Sequence, residues 1–116
     1  MAEIVDAESG RVIVAHARFA RMPWTRAIGL IARSTLGSDE ALIFENNHAV
    51  HTWFMGMPID VVFTDAAWTI VAVFAETRPW RVITAPAACH TIELAAGSAS
   101  THALTPGTNL QIRSAL

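Results

Sequence analysis

The chain has 116 residues and a mass of 12.5 kDa, with 53% hydrophobic and 16% charged residues. That composition excludes disorder, and the length fits one domain over residues 1–116. Eight basic residues, all arginine, against ten acidic ones speak against a nucleic-acid or anionic-membrane footprint. The lack of Lys and Tyr and the single Cys89 exclude Schiff-base lysine, P-loop lysine, tyrosine acid/base, an internal disulfide and cysteine-rich zinc chemistry.

The first residues, Met1-Ala2-Glu3-Ile4-Val5-Asp6, carry acid where a signal peptide needs positive charge, and no apolar stretch follows. A soluble, cytoplasmic protein that needs no cofactor is the expectation. Arg11 to Arg18 alternates with a period of two, setting Val12, Val14 and His16 against Ile13, Ala15 and Ala17, which reads as a strand. From Pro23 the period changes. Trp24, Ala27, Ile28 and Ile31 recur at helical spacing, so the principal helix is expected over about 23–34, ending before Leu36-Gly37.

Further strands are expected at Ala41–Phe44, Val50–Met55, Ile59–Thr64, Thr69–Ala75, Arg81–Ala85, His90–Ala95 and Asn109–Arg113. Asn46-Asn47, Asp65-Ala66-Ala67, Pro79, Pro86 and Pro106-Gly107 supply the turns between them. A short second helix is expected from Ser98 to Leu104, with Ser98 as its cap. The pattern predicts a mainly-β fold, a sandwich or barrel-like sheet of about eight short strands with one principal helix packed on it.

The segment His51 to Phe63 carries the most chemistry. It reads as two strands turning at Gly56-Met57-Pro58, with Asp60 inside Ile-Asp-Val-Val-Phe. An aspartate there is costly to bury without a partner. Either it accepts backbone N–H groups near the turn, or it orients His51 or an arginine in a polar pocket. A three-residue loop sets Asp60 and His51 on opposite faces, and a two-residue loop sets them together. Pro58 lacks an N–H and favours the three-residue loop.

His51-Thr52-Trp53-Phe54-Met55 followed by Pro58-Ile59-Asp60-Val61-Val62-Phe63 resembles the signature of the DUF192 family (also UPF0127), small bacterial and archaeal domains. Arg26-Ala27-Ile28-Gly29-Leu30-Ile31-Ala32-Arg33 resembles that family's Arg-x-x-Gly-Leu-Met-x-Arg helix. Pro79-Trp80-Arg81 and Ile92-Glu93-Leu94-Ala95-Ala96-Gly97 resemble its later blocks. The likeness spans Arg21 to Ile112. Two departures stand out: Ala41-Leu42 replaces the usual Gly-Met, and Gly107-Thr108 replaces the usual Gly-Asp. The resemblance implies a mainly-β, sandwich-like fold with a helix packed on it, and no particular activity.

The remaining candidates have bland alternatives. His48 and His51 are three apart, which sends them to opposite faces of a strand, and Cys89 and His90 diverge likewise, so no metal site is expected. No nucleophile elbow surrounds Thr52, Ser98, Ser100 or Cys89; Thr52 reads as strand packing and Cys89 as a small buried apolar residue. Arg78-Pro79-Trp80-Arg81 can clamp a carboxylate or phosphate with Trp80 as a stacking platform, or it is a solvated loop whose tryptophan covers the core edge. Glu93 is a solvent-face carboxylate or the partner of one of these arginines. Trp24, Trp53 and Trp68 read as core or lid residues.

The residues point to a small ligand, an anion among the options, bound in a polar pocket near the His51–Asp60 hairpin. The binding set is His51, Thr52, Asp60, Trp80, Arg81 and Glu93. An acid/base hydrolase using Asp60 and His51 is one alternative, and a protein-interaction module with an exposed Trp/Met surface is another. The partner is thus a small molecule or a protein, with no nucleic acid and no membrane.

Overall fold

Period-two segments become strands wherever turn residues free them from their neighbours. The computed structural model describes residues 2–20, 36–52 and 56–114. The strands are β1 (Ala2–Asp6), β2 (Val12–Phe19), β3 (Glu40–Phe44), β4 (Ala49–His51), β5 (Ile59–Thr64), β6 (Ile70–Thr77), β7 (Val82–Thr84), β8 (His90–Ala95) and β9 (Leu110–Ser114). One short helix, α1 (Ser98–Thr101), follows β8. The fold is mainly β, as the sequence predicts. The helix expected over 23–34 lies outside the described residues.

Seven strands form one sheet in the order β6-β5-β8-β3-β2-β1-β9, and β4 pairs with β7 in a separate two-stranded ribbon. Among the described residues, only β2 and β3 pair in parallel. The outer strands of the large sheet meet where Thr69 bridges Asn109. Ile70 N–H donates to the Thr108 carbonyl at 2.8 Å and Leu110 N–H to that of Trp68 at 3.0 Å. These bonds curl the sheet towards a barrel.

The curl separates two apolar layers. Inside it lie Ile4, Val14, Ile43, Val62, Ile92 and Leu94, closed by Ala99 of α1 and by Leu104. On the outer face, Leu42, Phe44, Val61 and Phe63 pack with Val50 of β4, and Ile83 of β7 lies against them. The ribbon therefore packs against the outer face of the large sheet through Val50 and Ile83. Every residue of β5 and of β8 is buried.

Three expectations are corrected. The hairpin at Gly56-Met57-Pro58 does not form between β4 and β5, because β6 and β8 occupy both edges of β5. β4 pairs with β7 instead, Val50 opposite Ile83. The strict alternation of β2 also fails: Ile13 and Val14 are both buried, because the β1–β2 register slips by a residue between Ile4↔Val14 and Val5↔Val12. Such a bulge turns two successive side chains inward. Third, β1 itself is a strand that the acidic N-terminal reading passed over, with β2 and β9 on its two sides.

Phe63 is fully buried and meets the half-exposed Phe74 edge-on, with ring centroids 5.8 Å apart. Phe63→Ala should cost about 3–5 kcal/mol in urea unfolding, as large core truncations do. Phe74→Ala should cost about 1 kcal/mol, the worth of an edge-to-face pair. Equal losses would contradict the layer assignment.

Candidate functional site

Asp60 is the second residue of a fully buried strand, and the fold bends to satisfy it. Opposite it, β6 takes one extra residue between Thr77↔Ile59 and Phe74↔Val61. Glu76, at φ 50, lies in that bulge and donates its N–H to Asp60 Oδ1 at 2.7 Å. Asp60 Oδ2 accepts Ala99 N–H at 2.8 Å. Ala99 is the second residue of α1, whose own cap position is Gly97 at φ 93 with no side-chain cap bond. Asp60 thus caps from 39 positions away the helix that Ser98 was expected to cap.

Both carboxyl oxygens are therefore bound by backbone, and neither bond goes to His51. His51 is exposed on the ribbon, opposite Val82. The structure thus forms no hydrogen-bonded Asp60–His51 couple for acid/base work. It supports the backbone-satisfied reading of Asp60, although the donors come from β6 and α1 rather than from a neighbouring turn.

Thr52 gathers the next group. It is fully buried and closes the 78–81 turn through both its backbone and its side chain. Its N–H donates to the Arg81 carbonyl at 2.8 Å, and its own carbonyl accepts Trp80 N–H at 3.0 Å. Its hydroxyl accepts Arg81 N–H at 2.8 Å and donates to the Arg78 carbonyl at 2.7 Å. This clamp holds Trp80 at φ 65, an uncommon backbone for a bulky residue. Trp80 is 59% exposed and its neighbour Val82 63%. Thr52, Trp80 and Arg81 are thus one rigid unit, and the threonine does more than pack a strand.

Glu93 departs furthest from expectation. The sequence places it on the solvent face or beside an arginine, yet it is fully buried. In register it lies between Leu42 of β3 and Val61 of β5, so it shares their face beneath the ribbon. Neither of its carboxyl oxygens has a hydrogen-bond partner. Burial pushes its pKa up to about 8, so the group is mostly a neutral acid at pH 7. A buried polar group without partners costs roughly 1–3 kcal/mol, so this arrangement is a standing expense in the fold.

With that geometry in place, the chain can be set beside known proteins. The family model DUF192, described as Uncharacterized ACR, matches residues 4–112. The chain belongs to the DUF192 family. No curated protein matches it. Among solved structures it is similar to a "putative transcription regulator" from Sinorhizobium meliloti 1021, at 22% identity and TM-score 0.77, covering 96% of this chain and 91% of that one. A protein of unknown function from Novosphingobium aromaticivorans DSM 12444 aligns at 20% identity and TM-score 0.78, covering 95% and 82%. A "putative exported protein" from Burkholderia pseudomallei K96243 aligns at 18% identity and TM-score 0.53 over 96% of this chain but 24% of that one. At these identities the likeness establishes the shared fold.

Among the blocks that resemble DUF192, Arg26–Arg33 and Trp53–Met55 lie outside the described residues. Among the described residues, no three His, Cys, Asp or Glu side chains gather as metal ligands, and no helix is long and apolar enough to cross a membrane. His90 is engaged elsewhere: its ring stacks on Trp68 at 4.0 Å, and its Nδ1 accepts Asn46 N–H at 3.1 Å.

The two carboxyls of this DUF192 domain predict opposite behaviour. Asp60→Ala strands two backbone donors and should cost about 2–4 kcal/mol in urea unfolding, with Asp60→Asn in between. A loss below about 0.5 kcal/mol would contradict the capping role. For Glu93 the folded pKa of about 8 lies above the unfolded value of 4.5, so the folded state holds the extra proton. Its penalty is absent below pH 4.5, grows as pH rises and levels off above 8, reaching on the order of 4–5 kcal/mol. Wild-type stability should therefore fall from pH 5 to pH 9 relative to Glu93→Gln. Parallel profiles for the two proteins would refute this.

Proposed function

We propose that the domain binds a small polar ligand between the outer face of the large sheet and the β4–β7 ribbon. Glu93 is its buried contact, and the Thr52-clamped turn at Trp80 and Arg81 forms its margin. The observation that carries this reading is Glu93 itself: a fully buried carboxyl with two unpartnered oxygens, set on the face that the ribbon covers. Apolar sequence could fill that layer more cheaply, so retaining an acid there calls for a recognition role. The clamp on Trp80 and Arg81 adds a pre-set aromatic and a guanidinium, which suits an anionic or planar group at the outer end of the ligand.

His51, at the ribbon's exposed face, and Asp60, bound by backbone inside the curl, take secondary places in this reading. A second reading, a protein-interaction face, draws on the exposure of Trp80 and Val82.

A thermal-shift screen against small anions, amines, sugars and nucleotides tests the proposal. A ligand at a hundred times its Kd should stabilise wild type by about 2.7 kcal/mol. The shift should vanish in Glu93→Gln and weaken in Arg81→Ala. Failure of every class to shift wild type, with Glu93→Gln simply more stable at pH 8, would reject the pocket.

A further inference from the structure

Resting on that reading, we infer that the ligand group meeting Glu93 is a planar organic cation, an amidinium or guanidinium, whose paired N–H donors engage the two free carboxyl oxygens. Each oxygen of the side chain is without a partner, and the residue is fully buried. An ionised carboxyl only accepts hydrogen bonds, so its complement is a group that only donates. Two adjacent empty oxygens match a forked N–H pair, which forms two parallel charge-assisted bonds. A guanidinium is also more weakly hydrated than an ammonium, which makes it cheaper to carry into an apolar layer.

Among the described residues, none of the charged side chains on the elements packed here bonds to Glu93. Leu42 and Val61 flank Glu93 in register, and Val50 and Ile83 of the ribbon belong to the same apolar layer. The charged or titratable groups on these packed elements point elsewhere. Glu40 of β3 accepts Gly37 N–H, Asp60 of β5 is held inside the curl, and His90 of β8 accepts Asn46 N–H. His51 of β4 and Arg81 beside β7 are exposed.

Neutral Glu93 offers one donor and one acceptor, so a carboxamide or carboxylate is the competing complement. The acid lies only about one pH unit from ionisation at pH 7, a tenfold cost in affinity. Two charge-assisted bonds in a water-poor layer exceed that cost, and the cation is favoured. Binding then moves one proton from Glu93 to solvent and leaves an ion pair; no covalent bond changes.

The probes are methylguanidinium and benzamidinium chlorides at millimolar concentration, with tetramethylammonium, acetamide and acetate as controls. At pH 7.5 either amidine-type probe should raise the Tm of wild type but not of Glu93→Gln, and tetramethylammonium, lacking N–H donors, should not. Apparent affinity should fall about tenfold per pH unit below pH 8. Should Glu93→Gln fail to fold, calorimetry of wild type in two buffers decides instead, since about 0.9 proton should be released per probe bound at pH 7. Binding without proton release overturns the inference. Glu93-dependent stabilisation by acetamide or acetate alone overturns the cation and leaves the ligand site standing. Inert behaviour of all five probes overturns the cation inference, and inertness across the broader screen overturns the site.

Discussion

Strands β5 and β8 pair with each other inside the large sheet, are buried along their whole length, and each carry one acid. Asp60 faces Leu94 and Glu93 faces Val61, so the two acids sit one step apart on opposite faces. A sheet covered on both sides must satisfy its polar groups from within. Inside the curl it does so: β6 bulges at Glu76 and α1 begins at Ser98, each turning an N–H towards Asp60. Beneath the ribbon it does not. The asymmetry between these two carboxyls separates the part of the molecule that holds the fold from the part we read as recognition.

The ribbon is the second device. Its short strands, three residues each, could not persist alone in water. They are anchored by Val50 and Ile83 against the sheet and by Thr52, which ties the chain to the 78–81 turn. The backbone that carries Trp80 and Arg81 is consequently held in place before any ligand arrives, which lowers the ordering cost of using those side chains.

Much of the fold was legible in the sequence because turn residues isolate the strands. Ile59–Thr64 and His90–Ala95 match their expected limits to the residue, bounded by Pro58, Asp65 and Pro86. The pairing partners were not legible. A contiguous Val50–Thr64 stretch with Gly-Met-Pro in its middle looks like a hairpin, and nothing local reveals that β6 and β8 take both edges of β5. Asp60 could be singled out as a residue needing partners, but those partners lie 16 and 39 positions away. Thr52 was legible as a site residue only through its neighbours. Glu93 was legible as a residue type between Ile92 and Leu94, yet alternation implies solvent on its face, and its burial comes from long-range packing in the layer that includes Val50 and Ile83.

Recognition beneath the ribbon depends on Glu93 being a buried, mostly neutral, unpartnered acid at physiological pH. Titrating the side-chain carboxyl carbon of Glu93 by NMR in the ligand-free protein measures this directly. The structure predicts a midpoint near pH 8. A midpoint near the ordinary value of 4.5 would contradict it, and with it the case for a recognition site beneath the ribbon.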